Sequence, residues 1–484
     1  MPAKTPASAL PARHYEFGGP IGVFGISFGL PILLYIFWFL CNDISGCPAP
    51  SVLSPKSLDI ERLKIEVGWP ENGLLGFFDL NVFGVTIAYY IVNLFLYAIL
   101  PAEIAIGTEL VTGGRLKYRC NAFTSNMAIL AACLSGTIAE GADFIVWRYI
   151  DDNYLQIMTS HLIIAYGLAT YSYVGSFSVK PGNKEMRELA IGGQTGNILY
   201  DWFIGRELNP RVNLPFFGEV DIKEWCELRP GLLMWALCNF TWVAKQYRNF
   251  GYVSDSMVFL TCIQTLYVID AWYYEPAILT MIDITLDGFG NMLSFGDLVW
   301  VPFLYSTQTR YLATYPVTLG PYGLAATFAV LLTGFSIFRL SNTEKNEFRR
   351  NPDSPRVAHL KYITTKTGSR LLVTGWWGMA RHINYLGDWI QSWPYSLPTG
   401  IAGYTIMAAG SGVEGALIML DGREVVQDAA RGWGAIFTYF YVFYFATLLL
   451  HREGRDDDKC FKKYGDDWLE YKKQVPYKVI PYVY

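Results

Sequence analysis

Residues 21–41 of the sequence read IGVFGISFGLPILLYIFWFLC, an apolar run without a charged side chain. About 20 mostly apolar residues are enough for a helix to cross a lipid bilayer. Nine later runs qualify by the same length rule: 81–100, 127–147, 157–177, 231–247, 257–279, 293–312, 322–340, 386–409 and 433–450. Pro394 and Pro398 interrupt the run 386–409, so we expect a kinked or re-entrant element there. The predicted fold class is all-α, a polytopic integral membrane helical bundle with about ten transmembrane helices.

The composition also indicates a membrane protein. Of the 484 residues, 52% are hydrophobic and only 17% are charged, whereas soluble domains average about a quarter charged residues. The net charge of −4 gives no argument for a nucleic-acid partner. Residues 1–13 are polar and contain proline, so we predict no cleavable signal peptide. We expect one membrane domain over 1–484, with N-terminal helices and loops in 1–230 and a catalytic half in 231–484.

Basic residues are concentrated in alternate loops. Two long loops, after the runs 157–177 and 322–340, carry many of them: Lys180, Lys184, Arg187, Arg206, Arg211, Lys223, Arg229, Lys345, Arg349, Arg350, Arg356, Lys361, Lys366 and Arg370. The tail after 433–450 is basic too, and the intervening loops are poorer in Lys and Arg. Because cytosolic loops of membrane proteins carry the excess of these residues, we predict that both termini and the basic loops are cytosolic.

Several familiar sites are missing from the sequence. The eight cysteines are scattered without zinc spacing; Cys41 and Cys47 could pair, but we expect reduced thiols. The five histidines, at positions 14, 161, 359, 382 and 451, are too dispersed to indicate a metal. The nearest approach to a dinucleotide-binding glycine loop is Gly288-Phe-Gly290, but Leu293 stands where the third glycine belongs. No Rossmann domain is therefore predicted.

Two stretches combine aromatic, cationic and amide groups. Residues 372–385 read LVTGWWGMARHINY, and 451–465 read HREGRDDDKCFKKYG at the end of the last apolar run. Upstream, Lys345 and Arg349 are four residues apart and would share a helix face. Arg452 and Lys463 add two cations, and arginine suits phosphate because its planar fork makes paired hydrogen bonds. The set would suit a dinucleotide with an extra phosphate, although a cytosolic membrane anchor alone explains most of these cations.

Carboxyl groups within or beside the apolar runs are a second set of candidates. They are Glu140, Asp143, Asp270, Glu275, Asp283, Asp287 and Asp297. A carboxyl inside a span faces protein or water and is a functional candidate. The alternative is a structural hydrogen bond within the bundle, and the sequence leaves both interpretations open.

Three blocks of sequence resemble a known family. Residues 196–211 (GNILYDWFIGRELNPR) and 449–465 (LLHREGRDDDKCFKKYG) resemble the two sterol reductase signatures. Residues 375–388 (GWWGMARHINYLGD) are also similar to that family. The resemblance covers nearly the whole chain from Tyr15 onward. Within the family it is strongest to the fungal Δ14-sterol reductases, on residues 17–20 (FGGP), 41–48 (CNDISGCP), 66–70 (EVGWP) and 178–184 (SVKPGNK).

The resemblance implies an endoplasmic reticulum enzyme that uses NADPH. It implies that four cations contact the cofactor phosphates: Lys345, Arg349, Arg452 and Lys463. It further implies that the rest of the cofactor site is lined by Leu372, Trp377, Arg381, His382, Asn384, Tyr385, Asp388, Asp456 and Tyr464. The partners implied are a sterol from the bilayer, NADPH from the cytosol, membrane lipids and, as further candidates, other enzymes of sterol biosynthesis.

The reaction expected from the resemblance is reduction of the C14=C15 double bond. Protonation at C15 would give a C14 carbocation, which a hydride then quenches, so the site needs an acid near the sterol. Tyr267 and Asp456 are the candidate acids. Asp270 and Glu275 could polarise the acid or stabilise the cation.

Three alternatives stay open at this stage. One is reduction of another sterol double bond, Δ7 or C24(28). Another is a membrane methyltransferase that resembles isoprenylcysteine carboxyl methyltransferase and would bind S-adenosylmethionine. The third is a non-catalytic sterol-binding scaffold, as a module similar to the lamin B receptor would be.

Overall fold

The computed structural model describes residues 15–111, 113–180 and 186–484. The predicted start without a signal peptide, at 1–13, lies outside these residues, as do His14 and Lys184 and most of the 178–184 motif. Helices dominate the described part of the chain. The predicted helical class is therefore confirmed, although short strands occur in several loops.

The chain forms helices of widely different length. The helices are α1 (Gly19–Leu40), α2 (Ile60–Glu66), α3 (Leu80–Ile99), α4 (Ala122–Glu140), α5 (Ile145–Asp152), α6 (Tyr154–Gly175), α7 (Ile198–Ile204), α8 (Ile222–Cys226), α9 (Leu232–Phe250), α10 (Asp255–Tyr273), α11 (Ile282–Thr285), α12 (Asn291–Phe295), α13 (Val301–Tyr305), α14 (Thr307–Thr314), α15 (Gly320–Arg350), α16 (Trp376–Met379), α17 (Ile383–Ser392), α18 (Ala435–Thr438), α19 (Phe440–Tyr464) and α20 (Asp466–Gln474).

The strands are short and mostly form hairpins. They are β1 (Gly46–Cys47), β2 (Glu103–Glu109), β3 (Arg115–Cys120), β4 (Arg211–Leu214), β5 (Gly218–Asp221), β6 (Tyr362–Thr364), β7 (Arg370–Leu372), β8 (Tyr404–Met407), β9 (Leu417–Ile418) and β10 (Glu424–Val426). β2 pairs with β3, β4 with β5 and β6 with β7, all antiparallel. β10 lies between β8 and β9, antiparallel to both.

Five helical segments of the described residues are long and apolar enough to cross a membrane. They are Gly19–Leu40, Gly73–Ile99, Ala122–Asp143, Gly320–Arg350 and Ala435–Tyr464. The prediction of about ten spans is not confirmed. The predicted run 293–312 is divided among α12, a π-helical turn at Gly296–Trp300, α13 and α14. The run 386–409 is also interrupted, as its prolines predicted, by 3-10 turns at Trp393–Tyr395 and Leu397–Thr399.

The chain divides into two compact units. The first contains residues 1–251 and 264–310, and the second contains 252–263 and 311–484. α10 contributes its first residues to the second unit and the remainder to the first. The division predicted from the sequence, at residue 230, stays a prediction.

The interior of the first unit holds a paired charge cluster. Arg229 is fully buried, and its guanidinium forms ion pairs of 2.7 Å with both Glu224 and Glu275. The second carboxylate oxygen of Glu275 accepts the main-chain N–H of Ala122 at 2.7 Å. A buried charge is tolerated only when it is paired and hydrogen-bonded. This cluster therefore ties the start of α4 to the segments that carry Arg229 and Glu275.

The glycine pair at Gly288-Phe-Gly290 has a packing role in the first unit. Gly205, which ends α7, has a φ of +92°. A Cβ on Gly288 would overlap the main-chain oxygen of Gly205, and one on Gly290 would lie 2.5 Å from that of Phe203. Only glycine lets two backbones approach this closely. The structure thus gives these glycines a packing role.

The cysteines differ from expectation at one place. Cys41 and Cys47 form a disulfide just after α1, although the sequence favours reduced thiols. The expectation was wrong for this pair. The wide spacing of the other cysteines does not apply to Cys41 and Cys47, which are six positions apart and can be brought together by a turn. The other six cysteines are free thiols.

Candidate functional site

The C-terminal end of α15 carries the first two predicted cofactor residues. Lys345 is half-buried, and its ammonium lies 3.8 Å from the ring centroid of Trp377. The indole N–H of Trp377 donates to the main-chain oxygen of Ser341 at 2.7 Å, which fixes the ring against α15. Arg349, one turn further, is exposed. A cation on an aromatic face is stabilised by the ring quadrupole, so Lys345 is held close to Trp377 while Arg349 stays open to solvent.

A tight turn before α16 places the tryptophans. Gly375 has a φ of +70°, a conformation that residues with a side chain rarely adopt. A Cβ there would lie 2.5 Å from a carboxylate oxygen of Glu344. That carboxylate accepts the main-chain N–H of Trp376 at 2.9 Å. Glu344 therefore anchors the first turn of α16, a role that local sequence patterns do not show because Glu344 and Trp376 are 32 residues apart.

His382, Tyr385 and Asp456 form a connected set. The rings of His382 and Tyr385 are stacked, with centroids 4.9 Å apart and an interplanar angle of 15°. The hydroxyl of Tyr385 donates to Asp456 Oδ2 at 2.6 Å, and Arg452 also hydrogen-bonds to Tyr385. The predicted motif of 375–388 thus meets the predicted tail motif of α19.

His382 is uncharged at neutral pH. Burial lowers the pKa of His382 to about 4, although the nearby carboxylate of Asp456 acts in the opposite direction. A neutral imidazole has one donor and one acceptor nitrogen. His382 can therefore offer a directed hydrogen bond rather than a positive charge.

Four buried polar atoms of this set have no hydrogen-bond partner among the described residues. They are Arg381 Nε, His382 Nε2, Asn384 Oδ1 and Arg452 Nε. A buried polar atom without a partner costs about 1–3 kcal/mol, and a bound water or ligand group removes that cost. Two of the four are arginine donors, one is an amide acceptor and one is an imidazole nitrogen. This mixture fits a phosphate-bearing, hydrogen-bonding ligand.

The remaining predicted cofactor residues have varied surroundings. Leu372 is buried in a cluster with Phe348, Val357, Leu360 and Trp377, where it supports the indole. Asp388 accepts a hydrogen bond from Gln391 at 2.7 Å. Lys463 is exposed, with its ammonium 5.0 Å from the ring of Tyr464. Arg381 directs its guanidinium toward main-chain oxygens of 475–476.

An aromatic group on α20 supports the same region and was missed from the sequence. Trp468 and Tyr471 stack with centroids 5.0 Å apart, and Tyr464 and Cys460 pack against them. The hydroxyl of Tyr471 contacts the main-chain oxygen of Trp377 at 3.5 Å. The spacing of three residues between the two aromatics was the available signal.

Tyr267, one of the two candidate acids, and the candidate substrate residues Asp270 and Glu275 lie in the first unit, whereas the other candidate acid, Asp456, lies in the second. Tyr267 on α10 is 56% exposed, and its ring lies 5.9 Å from that of Trp235. Asp270 is exposed. Glu275 is buried in the ion pair with Arg229, and both of its carboxylate oxygens are occupied. Tyr267 and Asp270 are therefore the two that can meet another molecule.

Comparison with known proteins covers nearly the whole chain. Residues 12–484 match the model of the ergosterol biosynthesis ERG4/ERG24 family. The Delta(14)-sterol reductase of Neurospora crassa is 62% identical over 472 residues, which are 98% of this chain and 96% of that protein. The Delta(14)-sterol reductase ERG24A of Gibberella zeae is 60% identical over 97% of each chain. The Delta(14)-sterol reductase erg24 of Schizosaccharomyces pombe is 41% identical over 97% of each. The protein therefore belongs to the ergosterol biosynthesis ERG4/ERG24 family.

Proposed function

We propose that the protein reduces the C14=C15 double bond of a sterol intermediate in ergosterol biosynthesis with NADPH as the reductant. One observation carries the proposal beyond the family: the 375–388 block and the tail meet around buried polar atoms that lack partners among the described residues. The relatives named above act at the Δ14 position according to their names, over nearly their full length. The same position is therefore proposed for this chain.

The cofactor is proposed to bind the second unit through its phosphates and rings. Arg349 and Arg452 suit the phosphates because guanidinium groups make charge-assisted paired bonds to them. Lys345 would move from Trp377 toward a phosphate or remain between the two groups. Asn384 and His382 would bind the polar edges of the ligand through their unpartnered atoms. NADPH would supply the hydride.

Protonation of the sterol is assigned to Tyr267 in preference to Asp456. One carboxylate oxygen of Asp456 accepts the hydrogen bond of Tyr385, which suits a residue that orients the cofactor site. Tyr267 has an exposed hydroxyl-bearing ring on an apolar helix, where it can meet a lipid. Asp270 is three residues further on the same helix and would stabilise positive charge on the sterol. Glu275 is assigned a structural role because its charge is already paired with Arg229.

We place the protein in the endoplasmic reticulum membrane with cytosolic termini. The basic loops support this orientation. The disulfide of Cys41 and Cys47 lies just after the first span, on the side that the orientation assigns to the lumen. Disulfides persist in the oxidising lumen and are rare in the cytosol, so two independent features favour the same topology.

Isotope transfer tests the proposal directly. Membranes that contain the protein are incubated with a Δ14-sterol and with NADPH deuterated at its transferable position, and the sterol product is analysed. Deuterium at C14 is expected. Deuterium at C7 or C24 would show that the enzyme reduces another sterol double bond instead. Methyl transfer from S-adenosylmethionine, or binding of sterol without any transfer, would refute the reductase.

A further inference from the structure

Residues 475–484, here called the backing segment, lie directly behind the motif residues of the second unit. Arg381 and His382 bind four consecutive main-chain oxygens of this segment. Arg381 Nη1 donates to the main-chain oxygens of Val475 and Pro476, at 2.8 and 2.9 Å. The main-chain N–H of Arg381 donates to the oxygen of Tyr477 at 2.9 Å, and that of His382 to the oxygen of Lys478 at 2.8 Å. Arg381 is only 5% exposed. One arm of its guanidinium is thereby occupied by the protein itself.

The other side of the backing segment is closed by a turn. The main-chain N–H groups of 478–480 all donate to the main-chain oxygen of Tyr484, at 2.8, 3.0 and 3.1 Å. The ammonium of Lys478 contacts the hydroxyl of Tyr484 at 3.1 Å and Glu453 Oε2 at 3.2 Å. Glu453 is buried and directly follows Arg452 on α19. The segment is therefore tied both to the residues before α17 and to α19.

Apolar packing connects the backing segment to the site. Val479 is 6% exposed and belongs to one buried cluster with Tyr385 and Leu449. Val475 is fully buried and packs with Trp468 and Tyr471. Tyr385 is the residue whose hydroxyl binds Asp456. A displacement of the backing segment would thus reach the Tyr385–Asp456 hydrogen bond through direct contacts.

We propose that Arg381 is a positioning residue, which holds the backing segment so that His382 and Tyr385 keep their places in the cofactor site. This inference rests on the proposed function and changes the role that the family resemblance implied for Arg381. A residue that binds the phosphate present only in NADPH would affect the use of NADPH alone, whereas a positioning residue affects every nucleotide that uses the site. The two roles differ in how they affect NADPH and NADH, which differ by one phosphate.

Enzyme kinetics with both nucleotides separates the two roles. The variants are Arg381→Ala, Arg381→Lys and a chain that lacks residues 481–484. Lys473→Ala serves as the control because its side chain is 76% exposed and pairs with the exposed Glu470. For Arg381→Ala we expect kcat to fall about tenfold with either nucleotide, since small displacements of a reacting group are costly. The ratio of kcat/KM for NADPH to that for NADH should stay within about twofold of the wild type.

The shortened chain should reproduce the loss, because it removes the oxygen of Tyr484 that closes the turn. A protein that combines Arg381→Ala with the loss of residues 481–484 should have a kcat little lower than either single variant, since the effects of two changes that act on the same segment are not additive. Arg381→Lys keeps the charge but lacks the planar guanidinium fork that fits the two oxygens, so we expect an intermediate kcat. A marked fall in the preference for NADPH in Arg381→Ala, or wild-type kcat in Arg381→Lys, would instead establish a direct cofactor ligand.

Hydrogen exchange gives a readout that does not depend on catalysis. Protection of the main-chain amides of 478–480 should fall in Arg381→Ala and stay unchanged in Lys473→Ala. Unchanged protection in Arg381→Ala would overturn the positioning role even if the enzyme were inactive. The two proposals can fail separately. If the wild-type protein transfers no deuterium to sterol, the proposed function is refuted. If Arg381→Ala nevertheless loses protection at 478–480, the positioning of the backing segment by Arg381 still holds.

Discussion

Replacement of Gly375 by alanine should destabilise the second unit through two separable effects. The backbone at Gly375, with φ +70° and ψ −152°, lies in a region that is essentially restricted to glycine. A side chain in such a region costs about 1–3 kcal/mol. The new Cβ would also lie 2.5 Å from the carboxylate of Glu344, which would have to release the N–H of Trp376. A hydrogen bond to a charged group contributes about 1.5–3 kcal/mol, so the total loss should be about 2.5–6 kcal/mol.

Gly368 provides a matched control in the same unit. Its φ is +80°, but a Cβ there would have no neighbour within 4 Å. Gly368→Ala should therefore cost only the backbone strain of a left-handed residue, about 1–2 kcal/mol. In a Glu344→Ala background the steric contact is removed, and the further cost of Gly375→Ala should fall to the strain alone, about 1–3 kcal/mol.

Thermal unfolding of the detergent-solubilised protein measures these differences, with nucleotide affinity as a second readout. The Gly375→Ala protein should unfold at a lower temperature than Gly368→Ala and should bind NADPH more weakly, because Trp377 carries the ring on which Lys345 lies. Equal unfolding temperatures for the two alanine variants, or an unchanged effect of Gly375→Ala without Glu344, would refute the reasoning.

Three further predictions concern the site. Arg452→Ala should raise KM for NADPH about tenfold or more, with little change in KM for the sterol, since a charge-assisted bond contributes about 1.5–3 kcal/mol; equal effects on both would argue against a phosphate contact. The pKa of His382 is lowered to about 4, so its stabilising contribution is complete above about pH 6.5 and is lost as the pH falls toward 4. At pH 5 the wild type should lose on the order of 2 kcal/mol that His382→Gln does not lose, and parallel pH curves for stability in the two proteins would contradict this. A sterol analogue with an amine at position 14 should inhibit far more strongly than its neutral counterpart if a carbocation forms there; equal inhibition would exclude the cation.

The grouping of the candidate residues could be predicted from the sequence within each motif, while their role as a cofactor site stays a prediction. Tyr385 and Asp456 were each placed by a motif, and the structure joins them by a hydrogen bond of 2.6 Å. Glu344 and the backing segment were not predicted. Glu344 is 32 residues from Trp376, and the backing segment is more than 90 residues from Arg381. These contacts involve main-chain atoms, which every residue has, so a pattern of side chains cannot predict them.

The membrane spans show a different limit. A length rule counts apolar residues, but it cannot tell a lipid-facing helix from one buried in protein. α6 was predicted as a span, yet it buries His161, whose imidazole contacts the hydroxyl of Tyr90 and the main-chain oxygen of Leu298. Hydropathy also cannot locate π-helical turns such as Gly296–Trp300, where a predicted continuous helix is broken. The helical fold class is therefore confirmed, whereas the number of spans stays a prediction.

The glycine contact of Gly205 with Gly288 affects how proteins of this kind should be classified. In the block 196–211, Gly205 is needed because its backbone lies close to that of Gly288. The block belongs to the first unit, and the predicted nucleotide ligands belong to the second. A related protein without catalytic activity that only bound lipid would still need this contact between the two backbones in order to fold. Possession of the block therefore reports shared architecture rather than nucleotide binding, which we propose for the second unit.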